Sequence, residues 1–443
     1  MVTTPLRTVA LAGVTALALL GATAPAGAAK PATGTVTHDE QITWQGWSGA
    51  TLAAGTTAGT TVTAAGLTLG TPAGTTPYKD PHTSTKRTWA YGTWTSPLTE
   101  VGFGATELVA SWNADTPAGT WLQVELQGTY TSGTRTPWYV MGRWASGDAD
   151  IKRTSVDKQG DKTSSIWTDT FAIDNPATGV LLRAYQLRLT LYRDPAQAAS
   201  PVVRSVGAMS STVPDRFTVT PSAGHIAWGT ELAVPRHSQE IHAGHYPEYD
   251  GGGEAWCSPT STEMVVEYWG RGPSAADTSW VDPTYPDPTV NHAARMTYDY
   301  QYDGAGNWPF NTAYAAGFPG LEAKVTRLHS LDELEHFIAA GIPVVTSQSF
   351  LASELDGAGY GTSGHLMVVV GFTATGDVIA NDPASPSNDA VRHVYQRAQF
   401  EQIWLRTKRT TANGGTGGGS GGIVYLIKPT SVAWPQVAGS TNW

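Results

Sequence analysis

One cysteine, Cys257, stands in 443 residues. A single thiol excludes an intrachain disulfide, and with it the disulfide-stapled small folds. Charge is also scarce. Asp, Glu, Lys and Arg together make up 14% of the chain, against about 25% in a typical soluble protein. Of these, 27 are basic and 37 acidic, a formal net charge of −10. That balance argues against nucleic acid as a partner, because phosphate binding rests on clustered Lys and Arg. Beyond the first thirty residues no apolar run reaches about 18 residues, so no membrane span is expected. Abundant instead are glycine (49), tryptophan (17) and tyrosine (17). This composition suits β-structure and aromatic surfaces. At about 100–200 residues per domain, the length implies two or three domains.

Residues 1–29 read as a secretory signal peptide. Arg7 gives a positive start, Val9 to Leu20 is almost wholly apolar, and Ala26 and Ala28 fit an A-x-A cleavage site. The expected protein is therefore secreted. Export sharpens the cysteine question, since exported chains tend to pair their cysteines. Cys257 is then an inert buried thiol, an intermolecular linker or a reactive nucleophile.

Residues 38–212 read as an all-β unit. Seven segments of β-formers recur about every dozen residues, among them ELVASWNA, TWLQVELQGTY, SIWTDTFAI and AYQLRLTLYR. Leu122, Val124 and Leu126 alternate with polar residues, as do Leu187, Leu189 and Leu191, which buries one face of each strand. A sandwich, jelly-roll-like, is expected. The Gly/Ala/Thr-rich stretch 46–76 is either an edge-strand region or a loose loop. From residue 213 to 443 the texture changes to α+β. Helices are expected over 258–269, 289–300 and 331–340, and strands over 343–347, 366–372, 378–381 and 423–427. The tract NGGTGGGSGG (413–422) reads as a flexible loop.

Cys257 precedes Ser258, a capping residue, and Pro259, which suits a first helical turn. Met264, Val265, Tyr268 and Trp269 make an apolar stripe, and Gly270 ends it. The thiol thus heads a buried helix, where the dipole and free N–H groups favour an anion and can hold an oxyanion. Gly251 to Gly253 are expected to leave room for a substrate backbone. A buried structural cysteine fits the same position. A nucleophilic thiol needs a base. His365 opens the apolar run LMVVVGF, a buried central strand. The sequence GFTATGDVIANDP then reads as a hairpin; with an even number of loop residues, Asp382 falls on the same sheet face as His365, either as a diagonal neighbour about 7–8 Å away at the backbone or one step further. Asp382 is suited to orient the imidazole, the third role in a triad; an Asp before Pro is also an ordinary turn residue.

The segments AVPRHSQ (233–239), AWCSPTSTEMVVEYWG, GTSGHLMVVVGF and VIANDPAS together resemble the stand-alone relatives of the bacteriocin-processing, double-glycine cysteine peptidases. The resemblance spans about 200 residues, from Glu231 onward. It implies a papain-like fold for the C-terminal domain. It also implies Cys257 as nucleophile, His365 as general base and acid, Asp382 as orienter, and Gln239 as a side-chain donor to the oxyanion hole. Ser258 stands where the family carries glycine, which is expected to narrow the room beside the nucleophile. An insert rich in histidine separates Gln239 from Cys257.

That insert holds His242, His245, Asp250 and Glu254, with His237 nearby. The H-x-x-H spacing lies in a loop, so a polar rim is expected and no metal is assigned. No cofactor is expected either. The nine tryptophans between Trp44 and Trp167 read mainly as sandwich core, with a cell-wall or glycan-binding face as the other reading. The sequence therefore points to a secreted cysteine peptidase acting on peptide or protein substrates. An acyltransferase with the same triad, or a catalytically silent glycan-binding or adhesion protein, is the alternative.

Overall fold

The computed structural model describes residues 40–443. Residues 1–29, expected to be a signal peptide, and residues 38–39 of the expected β unit lie outside the described residues. No described helix is long and apolar enough to cross a membrane.

The N-terminal half holds two seven-stranded sheets. The alternating leucines explain how they pack. Leu187 pairs with Leu126, Leu189 with Val124 and Leu191 with Leu122 across neighbouring strands of one sheet. All six are buried in a single core with Leu108, Ala110, Trp112, Val203 and Val206 from the other sheet. Two sheets closed over one core form a sandwich. The segment SIWTDTFAI, expected as one strand, is two: Ser164–Trp167 and Thr170–Ile173, paired antiparallel. Thr168 turns the chain there, with φ at 53°. The 46–76 stretch forms short strands and one 3₁₀ turn (Gly49–Ala54) around the buried Leu52.

The C-terminal half is built on a six-stranded sheet. Its order is Leu321–Arg327, Ile423–Pro429, Val344–Phe350, Thr362–Phe372, Val378–Asn381 and Arg392–Tyr395, and every neighbouring pair is antiparallel. Five α-helices accompany it: α1 (Cys257–Tyr268), α2 (Pro288–Thr297), α3 (Trp308–Ala316), α4 (Leu331–Ala339) and α5 (Arg397–Leu405). The central strand sorts its neighbours by alternation. Leu366, Val368 and Val370 share a core with Met264 and Val265 of α1 and Ala315 of α3. Met367 and Val369 share the other with Leu334 and Phe337 of α4 and Trp404 of α5. Each face thus carries its own helices.

Helix α3 gave no amphipathic signal for a physical reason: all nine of its residues are buried. The glycine tract also departs from expectation. Thr416–Gly418 pairs with Lys408–Thr410 as a hairpin, so the tract is partly strand.

The two halves share cores and bonds. Phe310 of α3 packs against Trp112 and Trp144 with ring centroids 6.1 and 5.4 Å apart. Asn113 donates to the Ala323 carbonyl at 2.7 Å and accepts from the Ala323 N–H at 3.0 Å. Val325 N–H donates to Ser111 Oγ at 2.9 Å. The edge strand of the C-terminal sheet is thereby docked on the sandwich by side chains.

Candidate active site

Cys257 is the first residue of α1 and is half-buried. Pro259 has no N–H to lose in that first turn. The Cys257 and Ser258 N–H groups donate to no backbone carbonyl among the described residues, so they are free at the helix N-terminus. Ser258 does not cap the helix. Its side chain is fully buried and shares a 2.9 Å hydrogen bond with the Tyr425 hydroxyl on the sheet. The serine therefore points away from the space beside the thiol and does not narrow it.

Gly253 explains how Gln239 comes to stand beside Cys257. A Cβ here would lie 2.4 Å from the Gln239 carbonyl oxygen and 2.4 Å from the His242 carbonyl carbon. The missing side chain serves chain-to-chain approach, not substrate entry. Of the glycine trio, Gly251 alone lines the cleft. On the other side, the segment before Gln239 is strapped to the turn after Asn381. Asn381 Nδ2 donates to the Pro235 carbonyl at 3.1 Å, Gln239 N–H to the Pro383 carbonyl at 2.9 Å, and Ser238 N–H to Asn388 Oδ1 at 2.8 Å.

The register of the central hairpin brings His365 and Asp382 together. Val368 pairs with Asn381, so Asp382, one step on, stands opposite Met367, two residues from His365. That is the diagonal relation. His365 lies inside its strand, opposite Gln348, rather than at its mouth. Its Nε2 is 2.8 Å from Asp382 Oδ1. Burial would lower the His365 pKa. The Asp382 charge and hydrogen bond, with the contact to Cys257, outweigh it and push the pKa up to about 10. With Nε2 on Asp382, Nδ1 is the nitrogen left for the thiol.

Two residues absent from the sequence reading complete this centre. Tyr360 and Tyr395 donate their hydroxyls to Asp382 Oδ2 at 2.9 and 2.8 Å. Ala384 N–H donates to Oδ1 at 3.0 Å. Burial alone would raise the Asp382 pKa, yet the His365 charge and these donors hold it below the ordinary carboxylate value. Tyr360 sits five residues before His365 and Tyr395 on the neighbouring edge strand, so spacing in sequence gave no signal for either.

Gln239 is buried in the same cleft. Its Nε2 donates to the Glu254 carbonyl at 2.6 Å and to the Glu240 carboxylate at 3.2 Å. Its Oε1 is buried with no hydrogen-bond partner among the described residues.

Two histidines of the insert, His242 and His245, lie side by side, and His237 is held elsewhere. His237 lies between Glu267 (2.7 Å) and Asp287 (3.3 Å). His242 is buried, with Nδ1 3.3 Å from both His245 Nδ1 and Asn291 Nδ2. Asp250 accepts from the Ala305 N–H. No cluster of three potential ligands with metal-site geometry occurs among the described residues.

Cys257, His365 and Gln239 line one open cleft of about 1460 Å³. Thr168 and Asp169, from the sandwich hairpin, line it too, as do Thr411 and Asn413 from the glycine-tract hairpin. Asp169 is fixed there by accepting from the Trp308 N–H at 2.9 Å. Both halves of the chain therefore build the cleft.

Comparison with known proteins gives two family matches. Residues 43–211 match the family described as the peptidase C39 N-terminal domain, and residues 231–412 match the peptidase C39-like family. A solved structure described as a C39-like peptidase from Bacillus anthracis is 18% identical, covers 45% of this chain and 98% of its own, and superposes with a TM-score of 0.28. No curated protein matches.

Proposed function

We propose, for a chain that resembles the C39-like peptidases in both halves, that it is a secreted cysteine peptidase with a papain-like C-terminal domain. The observation that supports this reading is the 2.8 Å bond between His365 and Asp382, with His365 and Cys257 lining one cleft. The thiolate of Cys257 attacks the carbonyl carbon of a peptide bond, and the carbonyl electrons move to oxygen. The Cys257 N–H, and the Gln239 amide once its longer bond to Glu240 is exchanged, receive that oxyanion. The imidazolium of His365 protonates the leaving amine and a thioester remains. Water then donates a proton to His365 as it attacks the thioester, and the carboxylic product leaves with the thiolate restored. Asp382 keeps the ring oriented and its charged form stable.

The test is a cleavage profile of a denatured proteome with wild type and with Cys257→Ala, paired with alkylation of Cys257 near neutral pH. Peptide ends that appear with wild type alone, and alkylation faster than in the denatured chain, support the reading. An unreactive thiol and identical profiles sink it. Addition of a competing amine separates hydrolysis from acyl transfer, since only transfer leaves the amine attached to the new end.

A further inference from the structure

The charge of the cleft is one-sided. Six carboxylates line it: Asp169, Glu240, Glu248, Asp250, Glu254 and Asp303. Against them stand two lining cations: His365, which Asp382 holds protonated, and Arg409, which is itself buried and donates Nε to the Gly418 carbonyl at 3.2 Å. Three of the acids have structural work. Asp169 and Asp250 accept from the backbone N–H groups of Trp308 and Ala305, and Asp303 accepts from the Tyr298 hydroxyl.

Glu240 and Glu254 differ. Glu240 directly follows Gln239, and Glu254 lies three residues before Cys257. Glu240 meets only the Gln239 amide, at 3.2 Å. Neither forms an ion pair among the described residues, and one Gln239 amide meets both, the Glu240 carboxylate at 3.2 Å and the Glu254 carbonyl at 2.6 Å. Burial first, then the charge of Glu254, raises the Glu240 pKa. A second observation points the same way. Gln239 Oε1 is an acceptor left without a donor in the buried wall of this cleft, a position that costs free energy until a donor arrives. Two carboxylates and an orphan carbonyl oxygen call for a ligand rich in N–H groups and positive in charge.

We propose that the cleft selects cationic peptides, with a lysine or arginine side chain held between Glu240 and Glu254 beside Cys257. This deepens the peptidase reading and rests on it for the word substrate, but the binding preference stands on the cleft alone. The selection is electrostatic, so it weakens as ionic strength rises.

The experiment uses the full chain as Cys257→Ala, which cannot turn over. Its ligands are capped hexapeptide pools with lysine, arginine, norleucine or glutamate fixed at one position. The lysine and arginine pools should bind at least tenfold more tightly than the norleucine pool at low salt, and the glutamate pool more weakly still. Adding Glu240→Gln and Glu254→Gln should remove that preference while the thermal midpoint holds, and Glu254→Gln alone should reduce it. Equal binding of lysine and norleucine pools, or a preference unchanged by both substitutions, overturns the proposal. Wild type is then given the same pools. Preferred binding of lysine without cleavage leaves the charge selection standing and removes the peptidase reading. Cleavage of all pools at equal rates, with equal binding, does the reverse.

Discussion

The imidazole of His365 is bonded to the carboxylate of Asp382 at 2.8 Å, with both side chains buried. Asp382 supplies the largest charge that keeps His365 protonated against burial. Asp382→Asn removes that charge and keeps the shape. The His365 pKa should fall, and the pH dependence of Cys257 alkylation should shift downward with it. Loss of the oriented base should lower kcat/KM on the order of 10²–10⁴-fold. An unchanged alkylation profile would show that the pair is structural.

Tyr360 and Tyr395 give a separate test of the same carboxylate. Each hydroxyl donates to the buried Asp382 Oδ2, and hydrogen bonds to charged groups contribute about 1.5–3 kcal/mol. Tyr360→Phe and Tyr395→Phe should each cost about that much stability at pH 7, read by denaturant unfolding. The pH dependence follows from the depressed Asp382 pKa. Its stabilising contribution is present above the ordinary carboxylate pKa and is lost as pH falls through the lower folded value. Each phenylalanine raises that folded value, so the variants should lose less stability than wild type on acidification. Equal losses would place the pH dependence elsewhere.

Much of this centre was legible from residue order. Helix α1 was visible because Met264, Val265 and Tyr268 recur at helical spacing. The His365–Asp382 relation was visible only as a hairpin that returns one strand beside the other; its register is set by the loop and by the irregularity between Val369 and Gly371. What escaped was set by surroundings. Helix α3 is buried on every side and has no periodic pattern. Ser258 was read as a cap, but Tyr425 on a distant strand takes its hydroxyl. Tyr360 and Tyr395 meet Asp382 only after a six-stranded sheet is assembled. The sandwich's place in the cleft was invisible, because Thr168 and Asp169 reach it through docking of the two halves. Gln239 was placed at the site, but its engagement with Glu254 and Glu240 depends on loop geometry.

Gly253 links two of these parts. Gly253→Ala would put a methyl group 2.4 Å from the backbone of both Gln239 and His242, so the chain must move. Such overpacking costs about 1–3 kcal/mol. The displaced residue is the proposed oxyanion donor, so kcat should fall more than KM changes. Gly251→Ala is the contrast: its Cβ meets open space, but its φ of 78° strains any side chain. It should cost stability with little change in kcat. Equal kcat losses in the two variants would show that the effect is general unfolding.

His237 anchors the strap that carries Gln239. It lies between Glu267 of α1 and Asp287, whose carboxylate also accepts from the Asn388 amide at 2.7 Å. Burial lowers its pKa, but the bonds and charges of Asp287 and Glu267 win and push it up to about 10. The sign of the linkage follows. A histidine with a raised folded pKa stabilises fully below its unfolded value of about 6.5, and that contribution is lost as pH climbs toward 10. Wild type should therefore lose stability between pH 7 and 10, and His237→Gln should lose less over that range. At pH 7 the variant leaves two carboxylates facing each other without a cation. Their side chains keep 23% and 21% exposure, so the cost falls below the range for a fully buried pair, at about 2 kcal/mol. Urea unfolding of both proteins at pH 6, 8 and 10 measures both effects. Parallel stability curves would mean that His237 is neutral in the folded chain, and that the strap is held by its hydrogen bonds to Asn381, Pro383 and Asn388.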